Sequence, residues 1–174
     1  EFNIEGNPIR SFINLVLEVR PDQVTVVPDA VDAITSNAGW DTIRNRDFLT
    51  EICKEFSSKG IRTSIFIDAD PKTAEAAALC GCDRIELYTE PYADLFPQNP
   101  EAAIAPFIET AKAAKEAGLG LNAGHDLNLQ NLEYFIRNIP WTDEVSIGHA
   151  IICDALYMGL ERTIEAYLSK VHIF

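Results

Sequence analysis

The chain is short of positive charge. Of its 174 residues only 14 are Lys or Arg against 27 Asp or Glu, a net charge of −13. The cations are scattered, which argues against nucleic acid or an anionic membrane surface as a partner, and a solvated acidic surface is the plain reading. Long apolar runs are missing too. None approaches the ~20 residues that span a bilayer, and no charged segment leading into an apolar one opens the chain, so a soluble, cytoplasmic protein is expected. The four cysteines, Cys53, Cys80, Cys82 and Cys153, lack zinc-ligand spacing. Cys80 and Cys82 read as reduced thiols buried between a helix end and the next strand.

Other signatures are lacking as well. No Gly-rich dinucleotide fingerprint and no Walker loop follows any strand-like run. All six lysines, Lys54, Lys59, Lys72, Lys112, Lys115 and Lys170, fall in helices or at helix ends, so Schiff-base chemistry in this stretch is not expected.

What is present is a regular alternation. Strand-like apolar runs occur at 2–5, 23–27, 62–67, 83–88, 119–123 and 144–148. Helical segments lie between them. Asn7-Pro8 reads as a cap and first helical residue, followed by Ile9, Phe12, Ile13 and Val16 at helical spacing. Asp70-Pro71 opens a helix that stops near Gly81, and Asn99-Pro100 one that stops near Gly118. Asn128 is the expected cap of a helix ending before Pro140, and a last helix runs from about Asp154 towards Lys170. This is the pattern of βαβ units on a parallel sheet, either a doubly wound open sheet or a (β/α)8 barrel.

The reactive residues favour the barrel. Glu5 ends the first run, Asp68 the third, Glu86 lies within the fourth, His125 follows the fifth, and Gly148-His149 closes the sixth. On a barrel these are neighbouring points of one rim, the C-terminal face that carries the chemistry. Period-two alternation turns Glu86 to the opposite side from Ile85 and Leu87, into the interior. Two carboxylates and a histidine there suffice for general acid and base work. The turns AGHDL and SIGHAII each set Gly before His where a strand meets a helix. Free backbone N–H groups at such turns attract anions, so the pair reads as a phosphate cradle. Asp68 and Asp70 could join His125 around a divalent metal, but Asp70 before Pro71 fits a helix cap better, and no metal is expected. His172 reads as a surface histidine. A complete barrel needs ~250 residues, and the chain starts with Glu1 already inside a strand, so it reads as a single domain over 1–174 made of the C-terminal six βα units, the first two being absent.

Taken together, NIEGN at 3–7, VVPD at 26–29, SIFIDAD at 64–70, RIELYTEPYA at 84–93, LNAGHDL at 121–127 and IGHAII at 147–152 resemble the pyridoxine 5′-phosphate synthase family of vitamin B6 biosynthesis. The resemblance covers nearly the whole chain in order. It implies a TIM (β/α)8 barrel, an octameric assembly and no metal or organic cofactor. It implies condensation of 1-deoxy-D-xylulose 5-phosphate with 3-amino-2-oxopropyl phosphate to give pyridoxine 5′-phosphate, phosphate and water. By motif, Glu5 matches the proton acceptor, Glu86 the transition-state-stabilising glutamate and His125 the proton donor. Thr35 matches a contact to the deoxyxylulose phosphate, while Gly148 and His149 match positions that bind the phosphate of the amino ketone. Asp126 stands where the family often has a glycine in contact with phosphate, and its carboxylate would repel the anion unless turned away. The absent units would carry an asparagine, a further catalytic histidine and phosphate-binding arginines, so this stretch alone is expected to be inactive. Two other readings stay open: a different phosphate-binding barrel isomerase or lyase, and a non-catalytic barrel that keeps the cradle.

Overall fold

The computed structural model describes residues 1–29 and 36–173. Its elements alternate as the sequence pattern predicts: β1 (Asn3–Gly6), α1 (Arg10–Val19), β2 (Gln23–Val26), α2 (Arg46–Ser57), β3 (Arg62–Ile67), α3 (Pro71–Cys80) and β4 (Arg84–Tyr88). These are followed by α4 (Glu90–Leu95), α5 (Pro100–Glu116), β5 (Gly120–Gly124), α6 (Leu132–Asn138), β6 (Glu144–Ser146), α7 (His149–Met158) and α8 (Leu160–Val171). The strands form one parallel sheet in sequence order, β1 to β6. Parallel neighbours need a crossover between them, and short apolar strands joined by helices supply it.

The sheet is strongly curled. In a flat sheet β2 and β6 would stand ~19 Å apart, at ~4.8 Å per strand. Here Gln23 Nε2 on β2 donates to Glu144 Oε2 on β6 at 3.1 Å. On the convex face, Val24, Val26, Ile65, Ile67, Ile85, Leu87, Leu121 and Ala123 are buried against the helices in one continuous core. The concave face is polar. Glu144 accepts there from Gln23, Arg62 Nη2 (3.1 Å), Arg84 Nη1 (2.7 Å) and Asn122 Nδ2 (3.0 Å), one donor from each of β2 to β5. This curled parallel sheet with eight helices, among the described residues, is the architecture of a partial TIM-like barrel.

Local chemistry explains the ends of the elements, including those that the sequence misplaces. Asp70 caps α3 by accepting from the Lys72 N–H at 2.9 Å, and Asn99 caps α5 through the Ala102 N–H at 3.0 Å. The first helix starts at Arg10 rather than after Asn7, because the Asn7 side chain is drawn to the Asp29 carbonyl and its own carbonyl closes a tight turn with the Ile9 N–H at 2.7 Å. Asn128 also fails to cap. Its Oδ1 accepts from the Gln130 N–H at 2.9 Å in a local turn, and α6 begins after Asn131. The last helix is two, broken at Gly159, whose φ of 82° is open to glycine and poorly tolerated by other residues. Cys80 and Cys82 are buried as expected, and no described helix is long and apolar enough to cross a membrane.

Candidate active site

At the C-terminal ends of the strands the sheet encloses a cavity of about 410 Å³. Glu5 from β1, Glu86 and Tyr88 from β4, His125 and Asp126 after β5, and Gly148 and His149 after β6 all line it. Every predicted site residue within the described stretch is therefore gathered in one place. Thr35 lies outside the described residues.

Glu86 sits deepest, 1% exposed. Its Oε2 lies 3.3 Å from Thr25 Oγ1 on β2, and Gly124 on β5 makes room for its other oxygen: a Cβ built there would fall 2.3 Å from Oε1. A buried carboxylate resists ionisation. Burial, and then the negative charge of Glu5, raise the Glu86 pKa from 4.5 to about 8, while hydrogen bonds from Thr25 and Ser146 pull the other way. Glu5 stands at the wet mouth of the cavity yet is enclosed enough for burial to raise its pKa, with Asp29 adding to the effect. Two carboxylates that oppose each other's ionisation titrate as a pair, and near neutral pH one can carry the proton that the other lacks.

The turn after β5 is strained, and the strain has visible anchors. His125 and Asp126 adopt φ values of 84° and 59°, a left-handed stretch that costs non-glycine residues about 1–3 kcal/mol each. Thr89 holds the turn from the β4 side. Its N–H and hydroxyl both donate to the Gly124 carbonyl, at 2.8 and 2.7 Å, and the hydroxyl also reaches the His125 carbonyl. Asn128 and Asn131 donate to the Asp126 carbonyl at 3.2 and 3.1 Å. The His125 ring is thereby set edge-on against Tyr88 and Phe66, with centroids 5.2 and 5.4 Å away. Burial against these rings lowers the His125 pKa, with Asp126, Asp29 and Glu90 pulling it up and His149 pushing it further down. An imidazolium so placed gives up its proton readily.

Asp126 does turn its carboxylate to a partner, with Oδ1 3.3 Å from His149 Nε2. His149 is the first residue of α7 and Gly148 its N-cap, so unpaired N–H groups of the first helical turn open beside this pair. Asp68 takes no part. Its Oδ1 accepts from the Gly39 N–H at 3.0 Å, outside the cavity lining, and Asp70 caps α3. His172 is exposed, as expected.

Several members of the site were not singled out in the sequence. Tyr88, whose hydroxyl hydrogen-bonds Glu90, is one, and Thr25, Thr89 and Ser146 are others. Tyr88 had a signal, since it shares the strand face of Glu86 two residues on. The hydroxyls had none, because what matters is which carboxylate or carbonyl the curled sheet brings to them.

A family model described as "Pyridoxal phosphate biosynthesis protein PdxJ" matches residues 1–172. The pyridoxine 5′-phosphate synthase of Bacteroides thetaiotaomicron is 65% identical over 167 residues, which are 96% of this chain and 70% of the relative. The chain belongs to this family. Another member, the pyridoxine 5′-phosphate synthase of Cytophaga hutchinsonii, is 63% identical over 171 residues, 98% of this chain and 72% of its own. The fold extends beyond the family. A crystal structure of the Amycolatopsis orientalis BexX/CysO complex superposes with a TM-score of 0.58 at 14% identity, covering 91% of this chain and 59% of the other.

Proposed function

We propose that the chain is the greater part of a pyridoxine 5′-phosphate synthase, which condenses 1-deoxy-D-xylulose 5-phosphate with 3-amino-2-oxopropyl phosphate to form pyridoxine 5′-phosphate, phosphate and water. Family membership supports the reaction. The observation that carries the assignment of roles is the convergence of Glu5, Glu86 and His125 on one cavity, where burial raises the pKa of both carboxyls and lowers that of the imidazole. Imine formation, loss of water and ring closure are successive proton transfers, and groups poised near the working pH perform them best. Glu5 is the proton acceptor and His125 the proton donor. Glu86, largely neutral near pH 7, donates a hydrogen bond to charge that develops on the substrate.

The phosphates are held by the backbone N–H groups of turns 124–126 and 148–150, with Gly148 giving close approach and His149 beside it. His149 also holds the Asp126 carboxylate, which leaves the Asp126 N–H to serve the anion. Thr35 contacts the deoxyxylulose phosphate. The six βα units belong to an eight-unit barrel that works in the cytoplasm as a homo-oligomer, an octamer, without metal or organic cofactor. The curl of the sheet and the greater length of the relatives support the eight-unit barrel.

The test is to supply both substrates to the full-length protein and follow pyridoxine 5′-phosphate. Product that depends on both substrates and is lost in Glu5→Gln supports the reading. A folded protein that binds phosphate at the two turns and makes no product would overturn it.

A further inference from the structure

Burial and two carboxylates oppose the ionisation of Glu86, and the surroundings show what counters them. Glu5 on β1 and Glu144 on β6 both raise its pKa. Arg84, two residues back on β4, is committed to Glu144 at 2.7 Å. In register beside Glu86, β3 offers Phe66 and β5 offers Asn122, with His125 beyond. Among the described residues, Thr25 of β2 and Ser146 of β6 bring protons to the carboxylate.

Thr25 is fully buried, and its hydroxyl lies between two partners. Oγ1 is 3.3 Å from Glu86 Oε2, 3.1 Å from Asn3 Nδ2 and 3.5 Å from Asn3 Oδ1. A hydroxyl has one proton to give. Once Glu86 ionises, its carboxylate is a stronger acceptor than an amide oxygen, so in that state the proton goes to Glu86 and the Asn3 amide donates to the lone pair behind it. The result is a one-way chain, Asn3 to Thr25 to Glu86, running from β1 to β2 to β4. A hydrogen bond of this polarity favours the charged form of its acceptor.

We propose that Thr25, oriented by Asn3, is a positioning residue that fixes the Glu86 carboxylate and keeps it able to ionise. This rests on Glu86 being a working carboxylate of the site, and its direct test does not need turnover. Glutamate labelled with ¹³C at Cδ gives each carboxylate a titrating resonance, and Glu86 is identified by the signal lost in Glu86→Gln. Removing a hydrogen bond to a charged group should raise the Glu86 midpoint in Thr25→Val by about one pH unit or more. Thr25→Ser, which keeps the hydroxyl, should return the midpoint to the wild-type value, and Asn3→Leu should give a smaller rise. Thr25→Ala deletes the hydroxyl without adding a methyl group and serves if the Val variant does not fold. In the full-length enzyme the same variants should move the pH profile of kcat to the alkaline side while leaving KM nearly unchanged. An unmoved Glu86 midpoint in folded Thr25→Val or Thr25→Ala, or a Ser variant displaced as far as the Val one, overturns the proposal. A moved midpoint in a protein without synthase activity would uphold the hydrogen bond and count against the assigned reaction instead.

Discussion

Replacing Glu86 by Gln should stabilise the protein, and should do so more as the pH rises. In the unfolded chain the carboxyl ionises near 4.5, whereas in the fold it holds its proton to about 8. The sign follows from linkage. A group whose folded pKa is raised favours the fold fully below its unfolded pKa, and that contribution is lost progressively as the pH climbs from 4.5 to about 8, beyond which the loss is constant. At about 1.4 kcal/mol per pH unit this gap caps the loss at about 5 kcal/mol. Glutamine has nearly the same shape and no such loss. Urea unfolding of both proteins at a series of pH values gives the comparison. Wild type should fall behind Glu86→Gln by ~2 kcal/mol or more between the acid and alkaline ends, most steeply at pH ~6, midway between the two pKa values. Parallel curves for the two proteins across that range would refute the reasoning, since they would mean that Glu86 ionises in the fold as it does in water.

Three further outcomes are expected. Glu5→Gln and His125→Asn should each lower turnover of the full-length enzyme by ~10² or more with the fold intact, as steady-state rates and circular dichroism would show. Phosphate titration should move the amide resonances of 124–126 and 148–150, because free N–H groups at a helix start and a left-handed turn attract an anion; still resonances at both turns would remove the cradle. Gly124→Ala should cost ~1–3 kcal/mol in chemical denaturation, since the added methyl group would fall 2.3 Å from Glu86 Oε1, and the loss should be relieved in the double variant with Glu86→Ala.

The sheet was legible because its signal is local. Each strand is a short apolar run between a helix end and a helix start, and parallel order follows from the alternation itself. The inward aim of Glu86 followed from period two alone. Helices were less sharply marked. Leu49, Ile52, Cys53 and Phe56 do give α2 an apolar stripe, but α4 has six residues and buries only Tyr92, too little for any periodicity to show. The break at Gly159 was hidden because a lone glycine inside a continuous helical pattern can be an interior residue or a stop. Asn7 and Asn128 misled for one reason: each side chain found a nearer partner than the helix end it could have capped. In the site, strand-end positions gave Glu5, His125 and Gly148-His149, whereas the pairing of Asp126 with His149 joins the turn after β5 to the start of α7 and Thr25 meets Glu86 across β3. Neither has a trace in sequence spacing.

The hub at Glu144 also bears on how the chain reaches this shape. Its four concave-face donors come from strands made earlier, and the hydrogen bond from Gln23 closes a loop of 121 residues. Closing a loop of that length is slow beside the local steps that form helices and neighbouring strand pairs. During synthesis β1 to β5 can pair as they emerge, but Arg84, Gln23 and Asn122 lack the carboxylate they share until β6 arrives, and Arg62 has only Glu1. The contacts that tie β2 to β6 across the concave face therefore close last, and the cavity wall formed by β6 and the turn after it is not in place before that strand docks.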